Sequence, residues 1–309
     1  MPEIFVFGAG RSGTTMLGGI IGSAPSALCI PEAQFIYEGL LRFGMEHQRA
    51  DTMLRYVTTH PRFKIWRWTP DEAFIEELPP VLRYSQLIDS IISHYGRSVY
   101  NKTFRHWVEH SPGKALHIPL LARAFPNAAF VHIVRDGRAI AASMRALDWG
   151  EKDIVSSSHY WRGRLTLARA GEHEIKNDYF DVRYEDIVQS SGEAVRTLAE
   201  KLGVTLPPGD IRTDGFTPPT YTSKQHALVG SPPSAIKLEV WKDQLKAREI
   251  EIFEYYNRDL LRRYGYQVTS EEPRKPTYCE LAWYFFNGLI QRIAQRPSRW
   301  LRQRRAVRA

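Results

Sequence analysis

Ile4-Phe5-Val6-Phe7-Gly8-Ala9-Gly10-Arg11-Ser12-Gly13-Thr14-Thr15-Met16 decides the fold. An unbroken apolar run ends in glycines and passes through an Arg and small hydroxyl residues. It then resumes with Met16, Leu17, Ile20 and Ile21 at three- and four-residue steps. That order reads as a buried strand, a tight loop and a helix. Glycines let a backbone curl around an anion, with N–H groups pointing inward and the positive end of the new helix behind them. Gly8 and Gly13 have the spacing of a triphosphate-binding loop, yet Thr14 stands where that loop requires Lys. The cation is Arg11, three positions earlier. The segment therefore predicts an anion cradle that does not serve a metal-bound triphosphate. The opposing reading is a glycine-rich turn with no ligand.

Phe130-Val131-His132-Ile133-Val134-Arg135-Asp136-Gly137-Arg138 is a second strand that lacks polar alternation and delivers an Arg, with Ser143 following in the next helix. The two segments in this order resemble sulfotransferases that use 3′-phosphoadenosine 5′-phosphosulfate (PAPS). Arg-Ser-Gly-Thr-Thr is similar to that family's 5′-phosphosulfate loop, in the style of its tyrosylprotein and carbohydrate branches. Arg135 and Ser143 have the spacing of its 3′-phosphate motif. The resemblance covers residues 1–265 and leaves the tail outside. It implies that Arg11, Ser12, Gly13, Thr14 and Thr15 hold the 5′ end of PAPS, and that Arg135 and Ser143 hold the 3′-phosphate. Arg suits both places because its planar fork pairs two phosphate oxygens at once. No metal is expected.

Sulfuryl transfer moves SO3 in line from a phosphosulfate to an acceptor hydroxyl, which must lose its proton to a positioned base. Glu32 follows the first helix in Cys29-Ile30-Pro31-Glu32, a place that parallel topology brings to the ligand-binding edge of the sheet. It resembles the position of the catalytic Glu in tyrosylprotein sulfotransferases. The plainer reading is an acid stabilised by the dipole of a helix starting near Ala33. Glu109-His110-Ser111-Pro112 resembles the family's Glu-Lys-Thr-Pro segment, but His110 replaces the Lys that lies near the transferring group. A histidine can act as base or carry charge there, or can be an ordinary loop residue; Lys114 is a weaker substitute for the missing cation. Tyr184-Glu185-Asp186 is similar to a family segment whose Tyr touches the nucleotide, although Tyr184 can equally serve packing. Lys224 and Lys237 are further basic candidates for closing over the nucleotide. Arg138 is expected to be a solvated helix residue, or else an aid to the 3′ grip. Trp66, Trp68, Trp107, Trp149 and Trp161 are expected mostly in the core, with some lining an acceptor pocket.

At 309 residues with 43% hydrophobic and 12% aromatic content, the chain is globular and long enough for one large α/β domain. Helices are expected at 34–47, 81–95, 117–125, 137–147, 155–175 and 190–202, and strands at Ala129–Val134 and Tyr179–Tyr184. Alternating strands and helices imply a P-loop-type three-layer α/β/α fold around a central parallel sheet. A long loop rich in Pro, Gly and Thr runs from Gly203 to Ser234. No boundary is visible before residue 268, which gives a domain at 1–268 and a basic amphipathic extension at 269–309. Cys29 and Cys279 are the only cysteines, too few for a disulfide framework.

The net charge of +8 is confined to one end. From Arg274 to Ala309 there are nine Lys/Arg against Glu280 alone, so the body is neutral and the charge does not indicate nucleic-acid binding. Residues 281–305 read as one helix in which aromatics alternate with arginines. Two readings follow: a helix lying on an anionic membrane surface, or one packed on its own domain with a frayed basic end. The first favours a lipid or lipid-linked glycan acceptor over other hydroxyl-bearing molecules. The N-terminus runs straight into a strand without room for a signal peptide, and no apolar stretch reaches the ~18 residues of a span. A cytoplasmic protein, peripheral on the inner face of the membrane, is the expectation. The rival to the sulfotransferase is a P-loop nucleotide kinase or hydrolase lacking the usual Lys. A third class is a non-catalytic nucleotide-binding or membrane-tethering module.

Overall fold

The run Glu3–Gly8 is a strand, β1, buried along its whole length. Successive side chains of a strand point to opposite faces, so Phe5 and Phe7 enter one core while Ile4 and Val6 enter another. Apolar residues on both faces are what a parallel strand covered by helices requires. The computed structural model describes residues 2–189, 192–216 and 238–295. Lys224, Lys237 and the basic run after Gln295 lie outside the described residues.

The further strands are β2 (Ala27–Cys29), β3 (His47–Arg49), β4 (Val81–Arg83), β5 (His106–Glu109), β6 (Ala129–Val134) and β7 (Tyr179–Arg183). Four of them join β1 in a parallel sheet of order β2-β5-β1-β6-β7, flanked by helices, as expected. Strands β3 and β4 make a separate antiparallel pair. The chain places β2 and then β5 on one side of β1, with β5 next to it, and then crosses to β6 on the other. That reversal opens a crevice at the carboxyl ends of β1 and β6, the usual ligand position in such sheets. Register completes the placement. Gly8 pairs with Ile133, so the loop after β1 and Arg135 after β6 emerge side by side.

Several local expectations need correction. The helix expected at 34–47 stops at Phe43, and His47–Arg49 instead pairs with Val81–Arg83. The helix expected from residue 81 accordingly begins at Tyr84. Strand β5 and the helix Ala247–Arg263 are not among the expected elements, although Ile250, Phe253, Asn257 and Leu261 mark the buried face of that helix at three- and four-residue steps. Trp66, Trp107 and Trp161 are core residues, Trp68 packs against that core, and Trp149 is partly exposed. Arg138 is neither solvated nor part of an anion grip. It is buried, hydrogen-bonded to Asp136, Glu254 and the Gln267 carbonyl, with its guanidinium 4.2 Å from the Trp241 ring centroid. The acid that draws it inward lies 116 residues away in sequence. Both cysteines are free, Cys29 buried and Cys279 exposed.

Glu3 opens β1 with its side chain buried. Burial, and then the charge of Asp89, raise its carboxyl pKa to about 7 from an ordinary 4.5. The folded state therefore holds a proton that the unfolded chain releases first, and stability falls as pH rises from 4.5 through 7. Glu3→Gln is expected to remove this slope and raise stability at pH 8 by about 1–3 kcal/mol. Thermal denaturation of both proteins at pH 5 and pH 8 checks it; parallel pH profiles would refute it.

Candidate active site

Two glycines make the loop after β1 possible. A Cβ at Gly8 would sit 2.4 Å from the Ile133 carbonyl oxygen, and Gly13 has φ +102°, a conformation that favours glycine. Gly13 also caps the helix Thr14–Gly22 with no side-chain hydrogen bond, which leaves the first-turn N–H groups to a ligand. Ser12, Thr14 and Thr15 are buried in this cradle. The Ser12 hydroxyl makes no hydrogen bond among the described residues although it is buried.

Arg11 itself adopts positive φ, +73°. That conformation turns its side chain across the loop, where Nε donates to Ser143 Oγ at 3.2 Å. Its carbonyl accepts a 3.0 Å hydrogen bond from Arg135 Nη1. The 5′ and 3′ candidate groups thus meet in one place. Burial, followed by the charge of Arg135, lowers the Arg11 guanidinium from its usual value. An anion between two guanidiniums removes that repulsion. Arg135 lies 4.4 Å from the ring centroid of Tyr184, and the same ring closes over Gly13, where a Cβ would approach it to 2.6 Å. The Arg135 Nε is buried with no hydrogen-bond partner among the described residues.

Three further side chains at the mouth went unrecognised as a group. The Gly10 N–H donates to Tyr160 Oη at 2.8 Å. A Cβ on Gly10 would lie 3.3 Å from the ring of Trp149. Arg164 stands 5.2 Å from the Tyr160 ring centroid and reaches the Gly113 carbonyl. Tyr160 and Arg164 share a face of the Ile154–His173 helix, one turn apart. Trp149 had a place among the aromatic candidates; nothing local in the sequence singles out the other two.

Glu32 sits past β2 and is partly exposed, 3.5 Å from Arg62 Nη1 and accepting a hydrogen bond from Gln34 Nε2. Its backbone is fixed from behind. The next amide, Ala33 N–H, donates to Glu109 Oε1 and Ser111 Oγ, both at 3.2 Å. Glu109 is buried in a salt bridge with Lys114, whose ammonium lies under the Phe5 ring. Burial drives that ammonium well below its usual pKa, and the carboxylate charge of Glu32 acts in the opposite direction. Lys114 is thus committed to Glu109 and ties the end of β5 to the Glu32 segment.

His110 is placed differently. It is 1% exposed, edge-on to Phe216 with ring centroids 4.6 Å apart, and directly behind Gly18 of the loop helix. The structure therefore gathers Arg11, Ser12, Gly13, Thr14, Thr15, Arg135, Ser143 and Tyr184 at one crevice and sets Glu32 on the same edge of the sheet. His110 sits behind the loop helix.

The fold is α/β with a loop whose glycines and neighbouring arginines suit an anion, and comparison with known proteins gives the class. The sequence model of the sulfotransferase family matches residues 2–208. The chain belongs to the sulfotransferase family and is a sulfotransferase. That decides against the kinase or hydrolase alternative. A putative protein-tyrosine sulfotransferase of Caenorhabditis briggsae is 22% identical over 313 residues, covering 92% of this chain and 96% of that one. Protein-tyrosine sulfotransferase 1 of Danio rerio is 25% identical over 210 residues, and the match spans only 54% of its length. Among solved structures, the sulfotransferase domain of the curacin biosynthetic pathway aligns over 87% of this chain and 99% of its own, with TM-score 0.57 and 15% identity. The sulfotransferase domain of the Synechococcus PCC 7002 olefin synthase gives TM-score 0.53 at 18% identity, covering 87% and 96% of the two chains. These two likenesses establish the fold.

Proposed function

We propose that the crevice beside β1 and β6 binds PAPS and transfers its sulfuryl group to the hydroxyl of a lipid or lipid-linked glycan. Arg11, Ser12, Gly13, Thr14 and Thr15 hold the 5′-phosphosulfate; Arg135 and Ser143 hold the 3′-phosphate, with Tyr184 as a wall of the nucleotide site. Glu32 takes the acceptor proton. The sulfur–oxygen bond to the 5′-phosphate breaks as the bond to the acceptor oxygen forms, and the leaving phosphate keeps the electron pair. Its growing charge falls on Arg11 and the first-turn amides, which are already in place. Residues 1–268 carry this chemistry, and 269–309 form a basic extension that holds the enzyme peripherally on the cytoplasmic face of a membrane. Among the described residues no three metal-ligating side chains come together.

One observation carries the donor site: Arg11 donates to Ser143 while Arg135, from a distant segment, donates to the Arg11 carbonyl, with Arg135 Nε and Ser12 Oγ buried and unsatisfied among the described residues. Buried polar groups without partners are costly, and phosphate oxygens answer both. Calorimetric titration with adenosine 3′,5′-bisphosphate tests the site. Arg135→Ala is expected to weaken binding about 10- to 100-fold, the range of a charge-assisted hydrogen bond. Unchanged affinity would remove the 3′ assignment.

A further inference from the structure

The terminal helix, Tyr278–Ala294, is built inside out. The residues it turns toward the protein are Tyr284 and Gly288, which are buried, and Glu280, Leu281, Asn287 and Gln291, which are half-buried. Its outer face carries Tyr278, Trp283, Phe285, Phe286, Leu289, Ile290 and Ile293, with Phe285 63%, Phe286 61% and Ile290 66% exposed. A surface helix left to the hydrophobic effect turns such a stripe inward. Polar contacts hold this one the other way round. Glu280 pairs with Arg248 at 2.7 Å, Arg292 pairs with Glu151, and Gly288 lets Asp153 approach so closely that a Cβ would lie 2.7 Å from its carboxylate. A contiguous apolar face displayed by a polar latch marks an interaction surface.

We infer that this face docks into the interface of an anionic lipid bilayer, and that docking sets the mouth of the donor site beside the membrane. Charge identifies the occupant. Arg274 and Lys275 precede the helix, Arg292 lies within it, and six further arginines follow in sequence against no acid. Basic residues flanking Trp, Tyr and Phe in the sequence suit anionic headgroups above acyl chains. No helix among the described residues is long and apolar enough to cross a membrane, so the face lies on the surface. The coupling is covalent and short. Glu151, which pairs with Arg292, and Asp153, which packs against Gly288, belong to the same connection that carries Trp149 to Gly10 of the phosphosulfate loop. The acceptor class follows: a hydroxyl presented at headgroup level. The inference rests on the lipid-acceptor reading above and gives it a face and an orientation.

The test uses the full chain, phosphatidylcholine vesicles with and without phosphatidylglycerol, and the variant Phe285→Glu/Phe286→Glu/Ile290→Glu. All three side chains are exposed, so the fold is expected to survive their replacement. Wild type is expected to sediment with the phosphatidylglycerol vesicles, and the triple variant to bind them about 100-fold more weakly. Affinity for adenosine 3′,5′-bisphosphate is expected to be equal in both proteins. Vesicle binding that is absent in wild type or equal in the two proteins overturns the inference. So does a wild-type dimer in light scattering that the variant converts to monomer, because a second copy then covers the face. Failure of Arg135→Ala to weaken nucleotide binding strikes the donor site alone and leaves the vesicle result intact.

Discussion

Arg11→Ala is expected to lower the rate of radiolabelled sulfate transfer from PAPS by about 10²–10³-fold, equivalent to roughly 3–4 kcal/mol of transition-state stabilisation. Arg11 is the cation nearest the loop that cradles the leaving phosphate, and its positive-φ backbone is what aims it there. The Nε contact with Ser143 shows that the same guanidinium reaches the opposite grip. Removing it therefore takes away charge where charge develops. It also takes away a donor that orients Ser143. The effect should divide unevenly: a modest loss of affinity for adenosine 3′,5′-bisphosphate and a larger loss in transfer rate. Arg11→Lys should recover part of the binding and less of the rate, because an ammonium is a point charge without a fork. Initial rates with an acceptor found by screening lipid, glycan, phenol and peptide pools provide the measurement. A variant that loses affinity and rate equally would reduce Arg11 to a binding residue.

Glu32→Gln is expected to reduce transfer by about 10²–10⁴-fold, the range of a positioned general base, while leaving nucleotide affinity unchanged. Gln keeps the shape and the hydrogen bond to Gln34 but cannot accept the acceptor's proton. The buried assembly behind it, Glu109 and Ser111 on the Ala33 amide with Lys114 beneath, holds the segment in place whichever side chain stands at 32. His110 is the competing candidate. With 1% exposure and Phe216 against its ring, it would need the Phe216 segment to withdraw before meeting an acceptor. If Glu32→Gln transfers sulfate at the wild-type rate, the base lies elsewhere and Glu32 returns to its plainer role beside the helix that follows it.

What the sequence disclosed was what is local in it. A strand that runs into glycines and hydroxyl residues, and a second strand that ends in Arg, are each written in a dozen consecutive residues. Their adjacency then follows from parallel topology, and the register of Gly8 with Ile133 delivers it. Features set by distant partners were not legible. Strand β5 is four residues long and is stabilised by lying between β2 and β1. Arg138 looked like a solvated helix residue because Glu254, which buries it, arrives from another helix. Tyr160 reads as one more aromatic until Gly10 is seen to donate to it. The terminal helix is the clearest case. Its apolar periodicity is plain in the sequence, but periodicity says only that one face differs from the other. The partners of the inward side are Arg248, paired with Glu280, Glu151, paired with Arg292, and Asp153, packed on Gly288; none of these three partners lies in the helix.

The most direct test of the central claim is a crystal structure with adenosine 3′,5′-bisphosphate bound. The account predicts the 5′-phosphate on the amides of Ser12 to Thr15 beside Arg11, and the 3′-phosphate between Arg135 and Ser143. A nucleotide bound with either phosphate away from these groups would contradict it.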